Sequence, residues 1–162
     1  MTEIKIYSSS YKQEVSGLIL HIQREEFGIP ISLADQPDLD DINNFYQSGH
    51  GNFWIALAEG KVIGTIALLD IGNNQGALRK MFVASTYRGK HFNIGQKLLN
   101  SLLTWAKQKG FRQLFLGTTE KFLAAQRFYE KNGFIEVKKE GLPSTFPLMT
   151  VDVKFYALTL GL

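Results

Sequence analysis

The amino-acid sequence predicts an α+β fold in which about four helices flank a mixed central sheet of about seven strands. Three observations support this prediction. The first half contains a meander of strands joined by tight turns, the middle alternates strands with amphipathic helices, and the end returns to strand. Tight turns join antiparallel strands, whereas a helical connection makes its two strands parallel, so we expect both arrangements. The length of 162 residues fits one domain that covers residues 1–162.

The first elements are a short strand and a long helix. Alternating polar and apolar residues predict a strand at Ile4–Ile6. Apolar residues at helical spacing predict a helix from Tyr11 to Phe27, which Gly28 and Pro30 end.

A second helix and three strands follow. Asp38 is suited to cap a helix over residues 38–46. Beyond two glycines, the segments Asn52–Ala58 and Val62–Asp70 are separated by a tight turn and predict an antiparallel hairpin. Another turn leads to a strand at Ala77–Val83.

The second half contains the clearest helical pattern, at Ile94–Lys109, followed by a buried strand at Leu114–Leu116. Thr118 or Thr119 caps a last helix, and Asn132-Gly133 provides a left-handed stop for it. The remaining strands are predicted at Phe134–Val137 and Val151–Leu158.

The net charge of +3 conceals an asymmetry between the two halves. Residues 1–76 carry four basic and ten acidic side chains, a charge of −6, whereas residues 77–162 carry fourteen basic and five acidic ones, a charge of +9. A basic half suggests a polyanionic partner and an acidic half a cationic one, although two solvated faces would give the same split.

Several patterns bear on compartment and cofactor. There is no cysteine, and the N-terminus lacks the basic and apolar regions of a signal peptide. The apolar run Val62–Leu69 is much shorter than the roughly 20 residues of a spanning helix. We therefore expect a cytoplasmic protein without membrane contact. His21, His50 and His91 lack the spacing of metal ligands, so no metal is expected.

The junction between the strand ending at Val83 and the following long helix has the chemistry of an anion site. A helix N-terminus presents unpaired N–H groups and partial positive charge, which favour phosphate. Gly89 and Gly95 allow the backbone to approach an anion closely, while Arg88 and Lys90 add formal charge. An ordinary strand–helix turn could contain the same residues, so the surrounding sequence must decide.

Two segments in order carry a family resemblance. The first is Met81-Phe82-Val83 followed by the loop Tyr87–Gln96 and the paired Leu98-Leu99, and the second is Ala125–Phe134, which reads AQRFYEKNGF. Together they resemble the central motifs of the GNAT superfamily over about a third of the chain. The loop is longer than usual by His91-Phe92, and Asn93 stands where glycine is usual; asparagine tolerates the left-handed backbone that such a loop needs.

The resemblance implies the acyl-CoA N-acyltransferase fold, in which two parallel strands splay around CoA, and an acetyl-CoA-dependent N-acetyltransferase activity. In this sequence it assigns cofactor binding to a strand end, the loop after it and one tyrosine: Met81, Phe82, Val83, Arg88, Gly89, Lys90, Asn93, Ile94, Gly95, Gln96 and Tyr129.

The resemblance also implies two proton transfers. Tyr129 matches the tyrosine of the second motif and is the predicted acid for the leaving thiolate. The base is less defined, because Ala77 stands where many relatives carry Glu. Glu26 is the predicted base, with Glu25, Asp70 and a chain of waters as alternatives.

The expected acceptor is the primary amine of a small molecule or peptide, drawn by the acidic half while the basic half holds the CoA phosphates. Many members of the family form homodimers, so the resemblance also implies a possible homodimer. Two other functions stay open: a CoA-binding sensor without catalysis, and a basic nucleic-acid-binding module. No nucleic-acid partner is expected, because no zinc-finger, basic-zipper or RNA-recognition motif is visible.

Overall fold

The computed structural model describes residues 1–161. Its seven strands form one sheet, as the sequence predicts. They are β1 (Thr2–Ile6), β2 (Asn52–Ala58), β3 (Lys61–Gly72), β4 (Gln75–Val83), β5 (Gln113–Thr118), β6 (Ile135–Val137) and β7 (Lys154–Thr159). The helices are α1 (Lys12–His21), α2 (Pro37–Asp40), α3 (Ile42–Tyr46), α4 (Ile94–Gln108) and α5 (Leu123–Lys131).

The strand order is β1-β2-β3-β4-β5-β7-β6. Only β4 and β5 pair in parallel, and the helical connection through α4 joins them, as predicted from the sequence. The other neighbours are antiparallel. This confirms the mixed sheet.

The sheet separates two apolar cores, and β2 contributes to both. Phe53, Ile55 and Leu57 face a core formed with α1, α2 and α3. Trp54 and Ala56 alternate with them and face the core under α4. Because successive side chains of a strand point to opposite faces of the sheet, β2 packs against α4 on one face and against α1, α2 and α3 on the other. Burial of this apolar surface is the main favourable contribution to stability.

The helical segment between β1 and β2 differs from its sequence prediction. The first helix changes at Ile22 into a π-helical turn, Ile22–Glu26. The predicted second helix is divided into α2 and α3, and Asp41 rather than Asp38 caps α3 by accepting from the backbone N–H of Asn44. Asp38 is instead buried inside α2. Its carboxylate instead contacts Lys80 and Tyr46 in the interior, and these buried interactions decide its position more strongly than its preference for capping a helix.

The final strand also begins later than predicted, at Lys154 instead of Val151. Residues 151–153 remain outside the ladder, although the backbone N–H of Val153 donates to the carbonyl of Thr118 at 3.0 Å. Asp152 therefore lies in a turn beside β5 and is free to project from it.

Candidate active site

A cleft of about 580 Å³ opens where β4 and β5 diverge. The two strands pair only through Gln75–Ala77 and Gln113–Phe115, and both continue beyond that point without pairing to each other. Backbone groups on the facing edges of the two strands are thereby available to a ligand, because a buried N–H or C=O needs a partner.

A bulge in β4 turns one peptide toward this opening. Lys80 has a left-handed backbone with φ of +54°, and the β3–β4 register shifts between Thr65 and Ala67. The hydroxyl of Thr65 donates to the carbonyl of Lys80 at 2.7 Å. In a trans peptide the N–H is antiparallel to the C=O. The N–H of Met81 therefore points away from the hydroxyl of Thr65.

The loop that leads into α4 borders the same cleft. Gly89 has φ of +105° and Asn93 has φ of +56°, so both positions are left-handed. The backbone N–H of Asn93 donates to the carbonyl of Gly89 at 3.0 Å, which closes the loop just before the helix begins at Ile94. Asparagine thus takes the left-handed position that the sequence predicted it could tolerate.

Every residue predicted to bind the cofactor lines this cleft: Met81, Phe82, Val83, Arg88, Gly89, Lys90, Asn93, Ile94, Gly95, Gln96 and Tyr129. The lack of a side chain at Gly95 also affects the shape of the cleft. A Cβ there would lie 3.3 Å from Cε of Met81, so glycine keeps the start of α4 close to the end of β4. The individual roles of the residues predicted to bind the cofactor stay predictions.

Glu26, the predicted base, is held by Arg88. The guanidinium donates from Nη2 to the Glu26 carboxylate at 2.6 Å and from Nε to the carbonyl of Val83 at 2.8 Å. Among residues 1–161 the lining of the cleft includes Arg88 but not Glu26. The carboxylate that was expected to accept a proton is thus an ion-pair partner of a predicted phosphate ligand.

Asp70, another candidate base, lies at the opposite end of β4. It accepts from the backbone N–H groups of His50 and Gly72, both at 3.0 Å, and pairs in register with Gly76. Its carboxylate closes the turn between β3 and β4, away from the end at which the strands diverge.

Tyr129 projects from α5 into the cleft and is only 5% exposed. Its ring packs 5.6 Å from that of Phe134 and 6.3 Å from that of Tyr156. Burial raises the pKa of its phenol, and the nearby carboxylate of Asp152 raises it further. The hydroxyl is therefore protonated at neutral pH and able to donate.

Asp152 lines the cleft and was not identified from the sequence. Its carboxylate lies over Gly117 of β5, where a Cβ would approach Oδ2 to 2.6 Å, so a larger residue at that position would displace the carboxylate. Burial raises its pKa from 3.8 to about 6, while Arg79 and Lys80 oppose that rise. The sequence offered no signal, because the apparent alternation of residues 151–158 placed Asp152 within a strand.

Lys80 of β4 belongs to a buried network with Gln36, Asp38 and Tyr46. Its ammonium lies 3.5 Å from the Asp38 carboxylate and donates to Oε1 of Gln36 at 2.5 Å. Tyr46 donates its hydroxyl proton to Asp38 at 2.5 Å. Burial lowers the pKa of Lys80 from 10.5 to about 8, against the attraction of Asp38. Asp38 thus provides the negative charge that keeps Lys80 cationic at neutral pH.

Arg79 precedes the bulge and lines the cleft without an ion-pair partner among residues 1–161. Its guanidinium lies 5.8 Å from the ring centre of Phe45 and 5.9 Å from that of Tyr46. Nη2 donates to Sδ of Met149 at 3.5 Å, and the backbone N–H of Asp152 donates to the carbonyl of Met149 at 3.1 Å. Met149 therefore links Arg79 to the turn that carries Asp152.

Within residues 1–161, no group of three His, Asp or Glu side chains is placed to hold a metal ion. No helix in that range is long and apolar enough to cross a membrane.

The profile of the acetyltransferase (GNAT) family matches residues 18–134, more than half of the chain. The chain belongs to the GNAT acetyltransferase family. The family and the fold predicted from the sequence are both confirmed.

Solved acetyltransferase structures share the fold over nearly the whole chain. An acetyltransferase of the GNAT family from Staphylococcus aureus Mu50 is 42% identical, with a TM-score of 0.96 over 99% of this chain and 100% of that one. An acetyltransferase from Streptococcus agalactiae is 34% identical, with a TM-score of 0.94 over 98% of each chain. PaiA N-acetyltransferase from Thermoplasma acidophilum, in complex with coenzyme A, shares the fold at a TM-score of 0.76 and 20% identity, over 99% of each chain.

Among curated relatives, N-acetylaspartate synthetase of Xenopus tropicalis is 37% identical over 111 residues. N-acetyltransferase family 8 member 2 of Rattus norvegicus is 33% identical over 104 residues. These alignments cover 66% and 61% of this chain but only 40% and 45% of the relatives, so the chain spans less than half of their length.

Proposed function

We propose that this GNAT protein transfers the acetyl group of acetyl-CoA to the primary amine of a small molecule or peptide. When bound, acetyl-CoA supplies an acetyl group that is already activated as a thioester. The protein must then hold the thioester, remove a proton from an ammonium group and give a proton to the departing sulfur. The cleft contains a suitable group for each task.

The loop before α4 is suited to the pyrophosphate. Its left-handed Gly89 and Asn93 bring backbone N–H groups to the start of a fifteen-residue helix, whose dipole favours anions. Lys90 adds an exposed cation. Arg88 is already paired with Glu26, so we infer that it supports the loop as much as it attracts phosphate.

The N–H of Met81 is suited to the thioester oxygen. The bulge at Lys80 fixes its direction before any ligand arrives. A donor that is preset toward an oxygen on which negative charge develops stabilises the transition state more than the ground state. Phe82 and Val83 continue the same edge of β4 and would pair with the amide groups of the pantetheine arm.

Asp152 is the base that the geometry favours over Glu26. Its carboxylate lines the cleft with a pKa near 6, so it is ionised at neutral pH and accepts a proton from an ammonium group. Glu26 lies in an ion pair at 2.6 Å, and taking up a proton there would break that pair.

Tyr129 is the proposed acid. Its buried phenol keeps its proton at neutral pH, and its ring is fixed by aromatic neighbours on two sides. The hydroxyl gives its proton to the departing sulfur of CoA. The attacking nitrogen loses a second proton as it becomes an amide, and that proton restores the phenol of Tyr129 through solvent, while the proton accepted by Asp152 leaves to solvent. The carbon–sulfur bond breaks as the carbon–nitrogen bond forms, so no oxidant or reductant is needed.

The observation that carries this proposal is the separation of β4 from β5 beyond Ala77, with the bulge on one strand and the anion-binding loop at its end. A cytoplasmic location and a homodimer stay predictions from the sequence and its resemblance.

Thermal unfolding with acetyl-CoA, and with NAD as a control, tests the binding half of the proposal. Ligand at 100 times its Kd adds about 2.7 kcal/mol of stability, a shift of about 5–10 °C for a protein of this size. We expect the shift with acetyl-CoA alone, followed by CoA release with at least one amine of a chemically diverse panel. A shift without turnover on any amine would instead support a CoA sensor, and no shift at millimolar acetyl-CoA would contradict both.

A further inference from the structure

We infer that the acceptor amine carries a carboxylate close to its amino group, as an α-amino acid does, and that Arg79 binds this carboxylate while Asp152 receives the ammonium. The inference rests on the proposed acetyl transfer and adds the class of acceptor. It departs from the expectation that the acidic half of the chain simply attracts a cationic amine.

The charged side chains around the cleft are only partly paired. Lys80 and Asp38 are each almost fully buried and form a pair at 3.5 Å, and Glu26 and Arg88 form a second pair at 2.6 Å. Among residues 1–161, Asp152 is the sole carboxylate that lines the cleft, and neither it nor Arg79 has an ion-pair partner. Three lysines also line the cleft without a salt bridge, namely Lys90, Lys121 and Lys131.

Arg79 and Asp152 lie near one another but do not form a salt bridge. Arg79 opposes the rise in the pKa of Asp152. Both residues contact Met149: the guanidinium of Arg79 donates to its sulfur, and the backbone N–H of Asp152 donates to its carbonyl. The guanidinium also lies against the rings of Phe45 and Tyr46.

The charges of Arg79 and Asp152 are complementary to those of a zwitterion. Partly buried charges without a partner are costly, and a ligand that supplies the missing charges recovers that cost. A zwitterion with an ammonium next to a carboxylate supplies both charges at short separation. Guanidinium is suited to a carboxylate because its planar fork donates two parallel hydrogen bonds. A polyamine would satisfy Asp152 but would place positive charge against Arg79.

The test compares matched acceptors on the intact protein with saturating acetyl-CoA. A panel of L-amino acids is assayed beside the corresponding L-amino acid amides and a linear polyamine, with CoA release as the readout. We expect kcat/KM for the best amino acid to exceed that of its amide by about 10- to 100-fold, the range given by one charge-assisted interaction. Equal or better use of amides or polyamine would overturn the inference while leaving acetyl transfer intact.

Variants then assign the preference to Arg79. In Arg79→Gln the acid-to-amide ratio should fall to near one, Arg79→Lys should keep part of it, and Arg112→Gln, an exposed arginine at the start of β5, should keep all of it. The ratio is measured on one preparation, so partial unfolding of a variant cancels. An unchanged ratio in Arg79→Gln would overturn the assignment. Binding of acetyl-CoA without turnover on any panel member would overturn the inference together with acetyl transfer.

Discussion

The two ends of the cleft are built in different ways. The end at which we propose that the cofactor binds, here called the cofactor end, is made mostly of backbone from one continuous stretch that runs from Met81 to Gln96. The end at which we propose that the amine binds, here called the acceptor end, is made of side chains from distant segments, which meet only in the folded protein: Asp38, Arg79, Lys80 and Asp152. Backbone sites leave a local sequence pattern, because glycine and asparagine are needed at fixed spacings, whereas side-chain sites leave none. If the two ends also work separately, substitutions at one end should change cofactor affinity and substitutions at the other should change catalysis or acceptor preference.

The largest effect is expected for Asp152→Asn. Asparagine keeps the shape but cannot accept a proton, so kcat/KM should fall by about 10²- to 10³-fold, within the range for loss of a general base. Wild-type kcat/KM should also decline as the pH falls through about 6, the pKa of Asp152 in its setting of Arg79, Lys80 and Tyr129. Glu26→Gln should retain activity within about tenfold. The opposite ranking of the two variants would return the role of base to Glu26.

The same substitution should stabilise the fold. The Asp152 carboxyl titrates near 3.8 in the unfolded chain and at about 6 in the folded protein, so the folded protein binds more protons between these values. Stability from this group is complete below pH 4 and is lost as the pH rises through 6. Asp152→Asn should therefore be more stable than wild type by about 1–3 kcal/mol at pH 7.5, measured by denaturant unfolding. Glu140→Gln, at an exposed carboxylate, should show no such gain.

The contrast between the two ends also explains how far the sequence could lead. Strand number and the parallel pair followed from periodicity and turn residues, which are local signals. The cofactor loop, which stays a prediction, rests on two motifs that are also local. Asp38 was expected to cap a helix and Asp152 to lie in a strand, because local pattern alone cannot show that Lys80 or Gly117 will face them. The bulge at Lys80 was not predicted either, since lysine has no preference for a left-handed backbone.

An intermediate effect is expected at the junction of the two ends. Tyr129→Phe removes only the hydroxyl and leaves the packing against Phe134 and Tyr156. We expect kcat to fall by about 10²-fold while KM for acetyl-CoA changes little, because the proton is needed only in the transition state. Tyr11→Phe, outside the cleft, serves as the matched control. Unchanged kcat would remove Tyr129 from the mechanism and leave it as a packing residue.

The smallest effect is expected for Gly89→Ala at the cofactor end. Its φ of +105° disfavours any residue with a Cβ, although no neighbouring atom lies within 4 Å of the added carbon. The cost is therefore conformational, about 1–2 kcal/mol, which corresponds to an increase of roughly tenfold in the Kd of acetyl-CoA. Calorimetric titration measures this change, with Gly141→Ala as a control, because Gly141 has similar open space and no positive φ. The acid-to-amide preference should be unaffected, since Arg79 and Asp152 do not contact the loop backbone at Gly89. A Gly89→Ala variant that altered acceptor preference but not acetyl-CoA affinity would show that the two ends are not separable.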